Sequence, residues 1–152
     1  MTANTLLLAI DQFAPGQAAV DFTIGFATRS RAAVCVFHVR EQPRSLRVPP
    51  LESAEEAGAL VDDAVRAIEG AGVPAEGRVR LGREDHVGDF IVEEASAAGC
   101  NAIVLGSLRL RGPRRISGHG VRESVVRRTP LPVIITPTAL SCSRLGVAPL
   151  AR

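Results

Sequence analysis

Short apolar runs alternate with amphipathic segments along most of the chain, and this alternation limits the fold more than any other feature of the sequence. Runs of five to seven residues rich in Val, Ile and Leu are typical of buried strands. The predicted strands are residues 5–10, 33–39, 76–81, 101–105 and 131–136, the last running from Leu131 to Thr136. Apolar residues at helical spacing predict helices over 14–30, from Ser53 to Gly70, over 84–98 and over 120–128.

Repeated strand–helix alternation predicts an α/β fold, an open five-stranded parallel sheet with helices on both faces. The 152 residues are enough for a single hydrophobic core and too few for two. We therefore expect one domain over residues 1–137. Residues 138–152 show no apolar period and are predicted to form a C-terminal tail.

The clearest local signal is a capping box at the start of the second helix. Ser53 and Glu56 stand three residues apart, so each side chain can accept a hydrogen bond from the other residue's backbone N–H. Gly70 and Gly72 predict the end of this helix. In the second strand, Cys35 is predicted to be a small buried hydrophobe and His38 to pack at the strand end.

Composition excludes several classes of function. All eighteen basic residues are arginine, so there is no P-loop lysine, Schiff-base lysine or lysine general base. With no Trp or Tyr, base-stacking modes of nucleic-acid binding are not expected. Three widely spaced cysteines match no metal-ligand pattern. The first apolar run is too short to span a membrane and no signal-peptide pattern precedes it, so a cytoplasmic protein is predicted.

Positive charge is concentrated in one segment of the chain. Residues 109–128 hold seven arginines against one acid, Glu123, for a formal charge of +6, whereas the rest of the chain carries −4. Such a segment is typical of a site for an anion, either a phosphate group or an acidic protein partner. It has no helix-turn-helix pattern, so nucleic acid is not the expected partner.

The carboxyl ends of parallel strands meet at one edge of a sheet, and ligands of such folds bind there. Asp11 follows the first strand and Gly106 follows the fourth. The helix that begins near Gly118, His119 and Gly120 would present free backbone N–H groups to an anion. These segments predict a phosphate-binding crevice.

Five stretches together resemble the universal stress protein family, which has the adenine nucleotide alpha hydrolase-like fold. They are Leu8-Ala-Ile-Asp11, His38-Val39, Val104-Leu-Gly-Ser107, Val121-x-Glu123-x-Val125-Val126 and Pro130-x-Pro132-Val-Ile-Ile135. The resemblance covers residues 5–136. It implies the sheet order 3-2-1-4-5 and a homodimer formed by pairing the fifth strands, residues 131–136. An apolar strand at a sheet edge is suited to such pairing.

The resemblance also implies a nucleotide site. ATP-binding members carry the motif G-x2-G-x9-G-[ST] for the phosphates, and Gly106 matches its first glycine. Asp11 after the first strand and Val39 at the end of the second match the positions that hold adenine and ribose, and Ala9 is predicted to belong to the same nucleotide site. The implied ligand is ATP, with Mg²⁺, or AMP.

The motif is degenerate in this chain. Arg109 stands at the second glycine position, His119 at the third and Gly120 at the hydroxyl position, while a shift of one residue places Gly118 on the third glycine. An arginine at position 109 either blocks a triphosphate or pairs with a phosphate through two hydrogen bonds. The sequence leaves both outcomes open.

Three functions follow from these observations. The first is a nucleotide-responsive regulatory module. The second is a dimeric interaction protein that has lost nucleotide binding and docks an acidic partner through the arginine-rich segment 109–128. The third is slow ATP hydrolysis, for which Asp11 could supply a base or a metal ligand, although no second carboxylate accompanies it in the sequence. Receiver, flavodoxin and dinucleotide-binding domains lack their key residues here.

Overall fold

A computed structural model describes residues 3–12, 16–106 and 118–136 of the chain, and all structural statements concern these residues. The strands are β1 (Thr5–Ala9), β2 (Ala33–Gln42), β3 (Ala75–Arg83), β4 (Ala102–Leu105) and β5 (Val133–Ile135). The helices are α1 (Gly16–Ser30), α2 (Ala54–Gly70), α3 (Val87–Ala97) and α4 (Gly118–Arg128). A single 3₁₀ turn (Glu84–His86) precedes α3.

The strands form one sheet in the order β3-β2-β1-β4-β5, and every pair of neighbours is parallel. The predicted fold class and the strand order are therefore confirmed. At the centre of the sheet, Leu7 of β1 lies opposite Cys35 of β2 and Ile103 of β4. The edge strands of the sheet are β3, as predicted, and β5.

Side chains of the central strands alternate between two apolar layers, one on each face of the sheet. Leu6 and Leu8 point into a cluster that α1 and α2 complete with Ala19, Val61 and Ile68. Leu7 points into the opposite cluster, which is completed by residues of α3 and α4: Ile91, Ala95 and Val125. The helices thus cover both faces, and the apolar runs read from the sequence are the buried strands.

The strand ends differ from the predicted bounds where polar residues or prolines intervene. β2 continues past the predicted end at Val39 to Gln42, because β3 pairs with it as far as Arg83. Its last residues are polar, so hydrophobicity alone could not show the extension. β5 is shorter than the predicted 131–136. Pro132 has no N–H to donate to the sheet, although its carbonyl accepts from Ile103.

The helix starts also shift. The predicted helix 84–98 begins with the 3₁₀ turn, and α4 begins at Gly118 rather than 120. The capping box of α2 is present as predicted: Glu56 N donates to Ser53 Oγ at 3.0 Å and Ser53 N donates to Glu56 Oε2 at 2.7 Å. The hydrogen bond from the Ser53 backbone N–H, followed by one with the Ser53 side chain, lowers the pKa of the Glu56 carboxyl. Within the described ranges, no helix is both long and apolar enough to cross a membrane.

Both cysteines within the described ranges are buried, Cys35 on β2 and Cys100 just before β4. Burial raises the pKa of the Cys35 thiol to about 12 and that of the Cys100 thiol to about 11. A thiol is reactive only as its thiolate. Neutral pH therefore leaves these two side chains protonated and inert, in agreement with the prediction that Cys35 is a small hydrophobe.

We predict that neither buried thiol reacts with Ellman's reagent at pH 7 in the native protein. The Cys142→Ser substitution removes the third cysteine, which lies outside the described residues, so only Cys35 and Cys100 remain to react. The same variant in guanidinium chloride is the control and should release colour from both thiols. Rapid labelling of the native variant would show that one of the two is exposed or ionised.

Candidate functional site

The carboxyl ends of β1, β2 and β4 meet at one edge of the sheet. Ala9 lies opposite Phe37 of β2 and Leu105 of β4, and Ile10 N donates to the carbonyl of Phe37 at 3.0 Å. Asp11 comes just after the end of β1, and Gly106 comes just after the end of β4. At this place the chain leaves β1 towards β2 on one side, and β4 lies on the other side. This is the topological switch point at which open α/β sheets bind ligands.

The backbone of Val39 faces the crevice above β1. In a parallel strand the N–H and C=O of one residue point to the same side, and this side alternates along the strand. The carbonyl of Phe37 points towards β1, since it accepts from Ile10. Val39 is two residues further, so its N–H and C=O also point to that side, where β1 has ended. The Val39 side chain is buried in the apolar layer between the sheet and helices α3 and α4.

Packing among the described residues does not require glycine at position 106. A Cβ built there would lie 3.7 Å from Ala19 Cβ, an ordinary van der Waals contact. A Cβ at Gly120, in the first turn of α4, would meet none of the described atoms within 4 Å. These glycines leave room at the crevice, whereas Gly88 on α3 is held by packing: a Cβ there would lie 2.7 Å from the Ser124 side chain on α4.

The two ends of α4 are positioned by different contacts. Close approach at Gly88 fixes α4 against α3, and Arg128 near its C-terminus pairs with Asp89. Near its N-terminus, Arg122 Nη2 donates to the carbonyl of Gly106 at 3.4 Å. The first turn of α4, from Gly118 to Gly120, therefore begins close to the carboxyl end of β4.

The structure describes most of the predicted site residues, and the rest lie outside the described ranges. Ala9, Asp11, Val39 and Gly106 come together at the sheet edge, and Gly118 and Gly120 belong to the first turn of α4. The backbone of His119 lies in the same turn, but its side chain falls outside the description. Arg109, together with Arg111, Arg114 and Arg115, lies in the segment 107–117, which is also outside the described residues.

A buried polar pair stands beside this crevice. His38 Nε2 lies 2.5 Å from Glu52 Oε1, and His38 Nδ1 lies 3.0 Å from the carbonyl oxygen of Ile10. Both residues are less than a tenth exposed. The Ile10 carbonyl can only accept, so Nδ1 carries a proton, and a second proton must lie between Nε2 and Oε1.

This pair ties three segments together. It links the end of β2 to the residue that precedes Asp11, and to the loop before α2. Arg40 reinforces the link, because its Nε donates to the carbonyl of Glu52 at 2.8 Å. The burial of His38 at the strand end was predicted. Glu52 was missed, because nothing in the sequence indicates a contact across fourteen positions.

Arg122 was also missed as a site residue, having been counted only within the positive segment. Its side chain is half-buried, and its Nε is buried without a hydrogen-bond partner within the described ranges. A buried donor left unpaired costs about 1–3 kcal/mol, more for a charged group. The described residues contain no group of three potential metal ligands.

Comparison with known proteins agrees with this architecture. The model of the universal stress protein family matches residues 2–137. A universal stress protein structure from Archaeoglobus fulgidus is 24% identical, with a TM-score of 0.69, 90% of this chain covered and 100% of the other. A structure of the universal stress protein from that organism in complex with dAMP shows the same identity and coverage, with a TM-score of 0.68.

A universal stress protein in complex with cAMP is 20% identical, with a TM-score of 0.67, and the match covers 90% of this chain and 98% of the other. At these identities the solved structures show a shared fold. The comparison with curated protein sequences gave no match.

We predict that Glu52→Ala lowers the free energy of unfolding by about 1–3 kcal/mol, because the buried His38 ring loses its partner. Chemical denaturation measures this change. Asp62→Ala on the exposed side of α2 is the matched control and should change stability by less than about 0.5 kcal/mol. Equal effects of the two substitutions would show that the buried pair does not stabilise the crevice.

Proposed function

The chain belongs to the universal stress protein family, and on that premise we propose that it is a regulatory module that binds an adenine nucleotide. The proposed site lies at the carboxyl ends of β1, β2 and β4. The observation that carries the proposal is the convergence there of Asp11, the outward-facing backbone of Val39 and a glycine at 106 that packing does not require. Structures of similar fold in complex with dAMP and cAMP support it.

The base and the ribose would occupy the side of the crevice formed by β1 and β2. Adenine presents an amino donor beside a ring-nitrogen acceptor, and one backbone C=O and N–H, such as those of Val39, satisfy that pair. Asp11 would accept hydrogen bonds from the ribose hydroxyls, and Ala9 would line the floor. The buried His38–Glu52 pair would hold the ends of β1 and β2 in register beside the ligand.

The phosphates would occupy the side formed by β4 and α4. A helix N-terminus offers backbone N–H groups and the positive end of its dipole to an anion. In this proposal Gly106 admits the phosphate, while Gly118, His119 and Gly120 donate backbone hydrogen bonds to it. Arg109 would pair with a phosphate oxygen from the connecting segment. AMP and ATP, the latter with Mg²⁺, are both proposed ligands.

We predict that Asp11→Ala and Gly106→Val each weaken nucleotide binding by about tenfold or more. The first removes the ribose acceptor, and the second fills the space for the phosphate. Equilibrium dialysis against AMP, ADP and Mg-ATP at low salt measures this. The protein lacks Trp and Tyr, so nucleotide absorbance is read with little interference.

Matched controls exist for both variants. Asp63→Ala on α2 removes an exposed carboxylate, and Gly58→Val adds the same side chain where the structure leaves open space. Both should leave the affinity unchanged. Wild-type affinity in Asp11→Ala and Gly106→Val would overturn the proposed site. No binding of any nucleotide to the wild type would instead favour the interaction protein, tested by partner pull-down with Arg114→Glu and Arg115→Glu combined.

We also propose that the chain forms a homodimer through β5. This strand lies at one edge of the sheet, and no strand of the described residues pairs with its outer side. Ile135 on β5 is 45% exposed and Val126 on α4 is 55% exposed. Exposed apolar residues beside an edge strand are suited to association between chains.

We predict that Ile135→Arg shifts the protein from dimer to monomer, because a charge replaces an apolar contact across the two-fold axis. Sedimentation equilibrium measures the mass. The control is Val79→Arg on β3, the opposite sheet edge, where Val79 is 41% exposed. A monomeric wild type, or a dimer that only Val79→Arg disrupts, would contradict the proposal.

A further inference from the structure

Arg122 lies on the fifth residue of α4, and its guanidinium reaches back towards the helix N-terminus. Side chains on a helix lean in that direction, which places Arg122 beside the first turn of α4 and over the end of β4. Its contact with the Gly106 carbonyl, 3.4 Å from Nη2, confirms the position. The carbonyl of Gly106 is a neutral acceptor, and the bond is long.

Arg127 and Arg128 at the C-terminal end of α4 have acidic partners, and Arg122 has none among the described residues. Arg127 pairs with Glu123 at 3.8 Å, and Arg128 pairs with Asp89. Within the described part of the chain, Arg122 forms no ion pair, and its Nε is buried without an acceptor. At the edge of the described part of the crevice, the Arg122 guanidinium therefore has one donor, Nε, that is withdrawn from water and has no acceptor.

A phosphate monoester fits these donors. The guanidinium presents planar N–H groups that match two phosphate oxygens, and its charge is permanent. An anion between Arg122 and the first turn of α4 would also receive the free backbone N–H groups of the helix. The resemblance motif has a hydroxyl at the position of Gly120, which this chain lacks, and Arg122 supplies donors two residues further along.

We propose that Arg122 binds the phosphate of the ligand and thereby distinguishes a nucleotide from a nucleoside. This inference rests on the proposed function, since it assigns a phosphate-contact residue within the same site. Arg122 substitutes for the missing hydroxyl and glycine positions of the motif. Phosphate recognition in this chain thus depends on a side chain more than on a glycine-rich backbone.

The test compares AMP with adenosine in the wild type, in Arg122→Gln and in Arg122→Lys. The wild type should bind AMP about tenfold or more tightly than adenosine, because hydrogen bonds to charged groups are the strong ones. In Arg122→Gln this ratio should fall several-fold, because the backbone N–H groups of α4 remain, and adenosine affinity should be unchanged. Arg122→Lys keeps the charge without the planar fork and should recover only part of the ratio.

Arg127→Gln is the matched control, because it removes an exposed arginine from the same helix and should leave the ratio intact. An unchanged ratio in Arg122→Gln would overturn the inference and leave the proposed function standing. If none of AMP, Mg-ATP and adenosine binds the wild type, the proposed function fails, and pyrophosphate then decides the role of Arg122. Equal thermal stabilisation of the wild type and Arg122→Gln by pyrophosphate would overturn it.

Discussion

β1 is hydrogen-bonded to β2 on one side and to β4 on the other, and Leu6, Leu7 and Leu8 bury both of its faces. A strand enclosed in this way must end where the crevice begins, because Asp11 cannot enter either apolar layer at low cost. The ends of β2 and β4 are aligned with it by parallel pairing. The burial of β1 thus fixes which residues meet at the crevice.

The fold could be predicted from the sequence because the signals for its strands and helices are local. Val34, Val36 and Ile103 belong to short apolar runs, and the capping residues Ser53 and Glu56 mark a helix start without reference to any other element. Alternation of these elements leaves few topologies. The order of the strands came from the family resemblance, since alternation alone does not choose which strands are neighbours.

Only part of the candidate site could be predicted from the sequence, because its polar contacts join residues far apart in the chain. Asp11 and Gly106 follow strand ends and could be placed from that fact. Glu52 approaches His38 across the β2–α2 loop, and Arg122 reaches Gly106 from one turn inside α4. Neither contact produces a recognisable spacing of residues in the sequence. Both depend on how the loop and the helix pack, which only the folded chain determines.

The crevice combines backbone groups positioned by the fold with polar side chains of β2, the β2–α2 loop and α4. The fold positions the backbone of Val39 and the first turn of α4 in the manner common to parallel α/β sheets. The buried His38–Glu52 pair and the guanidinium of Arg122 are contributed by this sequence. Arg109 and His119 stand at two glycine positions of the motif and Gly120 at its hydroxyl position, and Arg122 follows two residues later. The proposed phosphate contact therefore depends on a side chain of α4.

The most direct test of this account is a titration of the ¹⁵N-labelled protein with AMP, followed by amide NMR shifts. We predict that the perturbed amides are those of residues 9–11, 38–40, 105–106 and 118–122, while α2 beyond its first turn and the outer strand β5 stay unchanged. Saturable shifts confined to these segments would place the ligand in the crevice. Shifts centred elsewhere, or no shifts at saturating AMP, would contradict the account.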